Sequence, residues 1–376
     1  MKRLGVIVNP VAGMGGRVGL KGSDGAEILA RARALGACPE SPQRMRQALQ
    51  SVARIKHAIE VITYPREMGE DECLAAGISP TVVGSIQSGR TTPEDTREAA
   101  RQIAGRGVDL LIMAGGDGTA RDICDAIGSA VPVLGVPAGV KIHSAVYAVT
   151  PRSAGEVAAM LLAGSPMNFR EAEVMDIDEA AFRAGAVSAR LYGYLRVPEE
   201  SRRIQSAKAG GGMTEGAALQ GIAADVIESM DDPDCCWIIG PGTTTRAVMH
   251  ALGLPNTLLG VDVVRGRTLM SSDVTEQQLL HLIHGRPARI VVTPIGGQGH
   301  IFGRGNQQLS PKVIRQVGKA NLIVITTKEK LASLGGRPFL VDSGDDELDQ
   351  HLSGYLRVGY RDYVIYRVGD PVPQGE

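Results

Sequence analysis

The chain is 376 residues long, more than one hydrophobic core usually organises, so two domains are expected. Apolar residues at 43% and charged residues at 22% are ordinary globular proportions that exclude a fibrous or globally disordered chain, and 48 glycines without a three-residue period belong in loops rather than in collagen. With 40 basic against 41 acidic residues, a net charge of −1 and only 3% aromatics, the chain offers neither a global positive field nor a stacking surface for nucleic acid. The opening MKRLGVIVNP carries an apolar run broken at Asn9 and Pro10; it is too short for a signal-peptide core and reads as a first strand. No stretch approaches the roughly 18 apolar residues of a membrane span. Five cysteines (Cys38, Cys73, Cys124, Cys235, Cys236), odd in number and without CxxC spacing, read as reduced thiols in a cytoplasmic protein.

Apolar, β-branched runs (LGVIV, AIEVI, TVVGS, DLLIMAGG, PVLGVP) alternate with helical stretches such as AEILARARALG and PEDTREAARQIAG, the pattern of βαβ units and a parallel sheet. Thr92 as N-cap, Pro93 at the first helical position, Glu94 and Asp95 at the positive dipole end and Gly105 as stop delimit one helix. From Asn168 the style changes to the polar-apolar alternation of EAEVMDID and VSARLYGYLRVP, expected of half-exposed antiparallel strands. A helix capped by Thr214 follows the Gly210–Gly212 run, and strand-helix alternation resumes through CWIIG, TLLGVDVV, RIVVTPIGG and NLIVITT before YLRVGY and DYVIYRV. The fold class read from this is α/β: an N-terminal parallel-sheet nucleotide-binding domain over 1–165, and a second mixed α/β domain with β-rich elements over 166–376.

The central motif is Ala114-Gly115-Gly116-Asp117-Gly118-Thr119, between a buried strand and a helix. Its glycines let the backbone approach a ligand, consecutive N–H groups and the helix start favour an anion, and the loop reads as a phosphate cradle. An acid inside an anion site is unfavourable without a task, so Asp117 is the candidate general base for a hydroxyl attacking a terminal phosphoryl group. The plainer alternative is a tight turn whose Asp caps the helix. A second glycine loop, Val8-Asn9-Pro10-Val11-Ala12-Gly13-Met14-Gly15-Gly16-Arg17, follows the first strand on the same rim, with Arg17 and Lys21 available for phosphate charge. A third, Gly135 to His143, contains Gly139 and Lys141.

Together NPVAG, GGDGT and GVPAG resemble the superfamily of NAD kinases and diacylglycerol-type lipid kinases. The longer forms NPVAGMGGRVGLKGSDG and GGDGTARDI look most like its ATP-NAD kinase branch of acetoin catabolism protein X type. The resemblance covers the first 165 residues and implies ATP or polyphosphate as phosphoryl donor, Mg²⁺ in the crevice, and NAD as acceptor. It matches Asp117 to the family's base, and Gly115, Gly116, Gly118 and Thr119 to its phosphate contacts. The chain departs from the family where an Asn-Glu or Asn-Asp pair is usual: Asn168 and Arg170-Glu171 lack that adjacency.

In the second domain, Gly240-Pro241-Gly242-Thr243-Thr244-Thr245-Arg246 gathers hydroxyls, free N–H groups and an Arg at one helix start, an anion site by composition. Asp262 ends the next strand and suits ribose or sugar hydroxyls or a cation; His300 sits in a glycine loop. With Asp122 and His143 these residues are assigned to the acceptor, against the plainer reading of glycine-rich turns without a ligand. His281 and His284 read as solvated helix positions, and the acids of DSGDDELDQH as a helix start. The sequence thus reads as a phosphotransferase acting on a small-molecule acceptor. The alternatives are a kinase of the same fold acting on another small hydroxyl metabolite, or a protein that senses a nucleotide or sugar phosphate without catalysis. No basic amphipathic helix suits a membrane partner. A homo-oligomer is left open.

Overall fold

The computed structural model describes residues 1–20, 26–139, 142–177, 189–200, 216–295, 298–358 and 364–369. The chain forms two compact units: Met1–Met14 with Gly22–Ala207, and Gly15–Lys21 with Lys208–Glu376. Among the described residues no helix is long and apolar enough to cross a membrane.

The first unit runs β1 (Lys2–Val8), α1 (Ala26–Ala34), α2 (Ser41–Ala53), β2 (Ile59–Thr63), α3 (Glu70–Ala75), β3 (Thr81–Val82), α4 (Pro93–Gly105), β4 (Leu110–Gly115), α5 (Asp117–Ile127), β5 (Val133–Pro137), α6 (Pro151–Leu162), β6 (Phe169–Ile177) and β7 (Ala189–Pro198). Its first five strands make one parallel sheet in the order β3-β2-β1-β4-β5. Near-continuous apolar runs such as LLIMAG form these strands because both faces are covered. Leu4, Val6, Leu110 and Ile112 pack under α2 and α6, while Ile7, Leu111 and Met113 pack under α4 and α5. The Thr92 cap is a full capping box: its hydroxyl accepts from Asp95 N–H, and the Asp95 carboxylate accepts from Thr92 N–H at 2.7 Å.

Strands β6 and β7 pair antiparallel, as their alternation predicts. Their inward side chains Ala172, Val174, Leu195 and Val197 join the cluster beneath α4 and α5, and Arg121 of α5 ion-pairs with Asp176 of β6. This hairpin, read from the sequence as the start of a second domain, therefore lies within the first compact unit.

The second unit contains α7 (Gly216–Glu228), β8 (Cys236–Ile239), α8 (Thr243–Ala251), β9 (Asp262–Arg265), β10 (Thr268–Ser271), α9 (Glu276–Ile283), β11 (Ala288–Val292), β12 (His300–Phe302), α10 (Pro311–Val317), β13 (Leu322–Val324), α11 (Lys328–Ser333), β14 (Leu340–Val341), α12 (Asp346–Leu352), β15 (Gly354–Val358) and β16 (Val364–Val368). A mixed seven-stranded sheet has the order β10-β9-β8-β11-β13-β15-β16, with β8, β11, β13 and β15 parallel. β12 and β14 form a separate parallel pair. The expected helix cap Thr214 and the Gly210–Gly212 run lie outside the described residues. Cys235 and Cys236 are buried free thiols at the start of β8, and burial raises both pKa values.

Candidate active site

In an open parallel sheet the binding crevice lies where neighbouring strands send their following helices to opposite faces. That point falls between β1 and β4: the chain leaves β1 toward α2 on one face and leaves β4 into α5 on the other. Three loops meet there. Asn9, just past β1, donates from Nδ2 to the Thr119 hydroxyl at 3.0 Å, and its Oδ1 accepts from Val11 N–H. Gly13 sits at φ +85°, and a Cβ on it would lie 2.5 Å from the Ala138 carbonyl oxygen, so the first loop touches the third. Gly139 N–H and Ala138 N–H both donate to the Gly115 carbonyl at 3.0 Å, which ties the third loop to the second. Gly115 itself has no room for a Cβ, which would fall 2.2 Å from the Thr119 hydroxyl.

Asp117 is the first residue of α5 and only 9% exposed. Its Oδ2 accepts from His143 N–H at 2.9 Å and its Oδ1 from Ser144 N–H at 3.0 Å. The His143 ring Nδ1 lies 3.5 Å from Oδ2. Asp117 therefore does not cap its own helix, as the plainer reading of the motif had it: it anchors the third loop. Gly116 occupies the N-cap, with no side-chain cap bond. The anchored loop is held in turn from outside, because Ser144 Oγ accepts from Met175 N–H of β6 at 2.9 Å and Ala145 N–H donates to the Glu173 carbonyl. Tyr147 donates to the Gly116 carbonyl at 2.6 Å. A carboxylate so held has a fixed direction, and its remaining lone pairs are what a hydroxyl proton could use.

The other residues expected at a site are dispersed. Gly118 stands beside Asp117 in the first turn of α5. Asp122 faces α4 and pairs with Arg97 at 2.7 Å. Gly15, Gly16 and Arg17 group with the second unit, where a Cβ on Gly16 would meet Gln307 and the Arg17 carbonyl accepts from Glu276 N–H. Lys21 and Lys141 lie outside the described residues. In the second unit, Thr243 and Arg246 are exposed on α8, Thr244 and Thr245 are buried, and the Thr245 hydroxyl donates to the Gly242 carbonyl. Asp262 is a loop clamp: it accepts from Thr257 N–H at 2.7 Å, from the Thr257 hydroxyl at 2.5 Å and from Asp273 N–H at 3.0 Å. His300 is a buried strand residue of β12, not a loop residue.

Three residues at the first crevice escape sequence reading. Ser41 donates to the Asn9 carbonyl from the start of α2, Ser144 links the third loop to β6, and Tyr147 holds Gly116. Only the GVPAGVKIHSAVY run hints at the last two, by continuing the third loop. Among the described residues no three His, Cys, Asp or Glu side chains gather to hold a metal ion. Asp117, the carboxylate present, already receives two backbone N–H groups. This donor set does not fit a resident protein-held Mg²⁺.

Fold and site together define an α/β protein with glycine loops converging on an acid at the switch point of a parallel sheet. Residues 4–165 match the family model of the ATP-NAD kinase N-terminal domain, and residues 233–368 that of the ATP-NAD kinase C-terminal domain. The two matches together span most of the chain, which belongs to the ATP-NAD kinase family. Among solved structures it is similar to two from Bacillus anthracis str. Sterne, each described as a candidate diacylglycerol kinase. One is 16% identical over 47% of this chain and 43% of that chain, the other 18% over 47% and 46%, both at a TM-score of 0.21. The chain thus spans less than half the length of either. No curated protein matches it.

Proposed function

We propose that the protein is a phosphotransferase of ATP-NAD kinase type, moving the terminal phosphoryl group of ATP, or of polyphosphate, to a hydroxyl of NAD. The observation that carries this reading is the Asp117 carboxylate, buried among three glycine loops and aimed by two backbone N–H groups at a sheet switch point. The N–H groups of the glycine loops bind phosphate oxygens, and the start of α5 adds its dipole. Asp117 takes the proton as the acceptor oxygen bonds to phosphorus and the bond from phosphorus to the bridging oxygen of the leaving ADP breaks. His143, beside Oδ2, orients the carboxylate. Mg²⁺ bound to the phosphates of the nucleotide substrate would balance their charge. A kinase of the same fold acting on another small hydroxyl compound shares every one of these steps.

The test is to incubate purified protein with Mg²⁺ and ATP or polyphosphate against a panel of hydroxyl metabolites that includes NAD, read by mass spectrometry. A product heavier than NAD by one phosphate, formed in step with ADP, supports the reading. Phosphorylation of a different acceptor with NAD untouched replaces it by the second one.

A further inference from the structure

The phosphotransferase chemistry uses no residue of the second sheet, yet that sheet has a switch point of its own. Strands β8 and β11 are parallel neighbours, and the chain leaves β8 through α8 toward β9 but leaves β11 toward α10 and β13 on the other side. The side chains place the two helices on opposite faces: Val248 and Met249 of α8 pack with Trp237, whereas Val313 and Ile314 of α10 pack with Ile238. This is the arrangement that opens a crevice at strand ends.

Polar groups from three strand ends meet there. Lys330, on α11 after β13, donates from Nζ to the Thr244 hydroxyl at 2.7 Å and to the Thr293 hydroxyl at 3.4 Å. Thr244 opens α8 after β8 and Thr293 follows β11. Gly242, at φ +130°, draws the backbone in so closely that a Cβ would lie 2.7 Å from the Thr293 methyl. Thr244 is 0% and Thr293 8% exposed. Each hydroxyl serves Lys330 as acceptor and keeps its own proton, and among the described residues neither proton is donated to any acceptor. A buried donor without an acceptor is unfavourable, and native proteins meet such groups with water or a ligand. Two such protons beside an ammonium and the amides of a helix start ask for an acceptor-rich anion.

We propose that this crevice is a second anion site that takes a phosphoryl group: Lys330 supplies charge, Thr244 and Thr293 supply their hydroxyl protons, and the first turn of α8 supplies N–H groups. The site requires nothing of Asp117, so its failure and the failure of the kinase reading are separate events.

The test follows Lys330 itself. The intact chain is acetylated with a limiting amine-reactive ester, and the rate at Lys330 is read by peptide mass spectrometry with inorganic phosphate or with acetate at matched ionic strength. Phosphate should slow labelling of Lys330 by about fivefold or more at near-saturation, acetate should not, and Thr244→Val should abolish the protection. If Thr244→Val melts without a cooperative transition, Thr293→Val is read in its place. Equal labelling with and without phosphate, equal protection by acetate, or protection that survives in the folded valine variant overturns the proposal. Phosphate bound only at the glycine loops of the first unit registers as no protection of Lys330, and so also overturns it.

Discussion

Gly116 and Gly139 face one another backbone to backbone: a Cβ on Gly139 would lie 2.8 Å from the Gly116 Cα, and a Cβ on Gly116 would lie 3.2 Å from the Gly139 Cα. The glycine at 116 is thus required by close approach, and its φ of −126° is one that any residue adopts. The asymmetry of the two distances sets an order. Gly139→Ala must push backbone away and should lower kcat/KM by at least about tenfold, with the larger fall in Tm; Gly116→Ala needs only a few tenths of an ångström and should cost less. Steady-state kinetics and thermal melts of both variants check this, and the reverse order would show that the contact does not control the loops.

Asp117→Asn is not a silent change of charge. One carboxylate oxygen becomes an NH₂ group that faces either His143 N–H or Ser144 N–H, so an accepted hydrogen bond is replaced by two opposed donors. Stability should fall by about 1–3 kcal/mol. Turnover should fall by about 100-fold or more if the carboxylate takes the hydroxyl proton. Product formation and scanning calorimetry on the same preparation separate the two effects; near-normal turnover would falsify the base assignment.

Glu72 supplies a pH dependence remote from the crevice. It is 3% exposed, its Oε2 has no hydrogen-bond partner among the described residues, and Arg46 lies 3.8 Å from Oε1. Burial pushes its pKa up to about 7, with Arg46 pulling it partly back and Asp71 and Glu67 adding to the rise. The folded state therefore holds a proton that the unfolded chain has lost, and stability declines as pH rises from the ordinary carboxylate range to about 7. Glu72→Gln should remove that decline and raise stability at pH 8 by about 1–3 kcal/mol. Urea melts between pH 5 and 8 measure it, and a decline unchanged in the variant assigns it to another group.

Asp262→Ala leaves Thr257 N–H and Asp273 N–H without their acceptor and should destabilise the second unit by about 2–4 kcal/mol. Hydrogen exchange should quicken at those amides and leave the amides of His143 and Ser144 protected as before. Slow exchange at Thr257 and Asp273 in the variant would contradict the clamp.

What the sequence made legible was local. The Thr92-Pro93 cap, the strand-to-helix junction around Asp117 and the tail hairpin each depend on residues a few positions apart. The signal Thr150-Pro151, equivalent to Thr92-Pro93, marks α6 just as clearly and was there to be read. Alternation along β6 and β7 shows that one face is covered but not by what; the cover proves to be the helices of the first unit. Asp262 looks like a ligand carboxylate because its partners Thr257 and Asp273 sit in turns whose approach no spacing encodes. Lys330 is 86 residues from Thr244, and no periodicity joins them. His300 drew attention for its glycine neighbours, yet strand pairing buries it.

The chain passes from the first compact unit to the second and back within its first 22 residues, since Gly15–Lys21 clusters with 208–376 while both flanks cluster with the first unit. A ribosome makes those seven residues early and their companions last. The second body thus closes a loop of almost two hundred residues when it matures, an entropic cost that grows only slowly with length but must be met before any contact of that segment stabilises it. Cutting the gene at either apparent boundary, 165 or 207, leaves the front piece carrying a strip of its sibling, and expression of the halves as independent proteins requires that strip to be replaced or bridged.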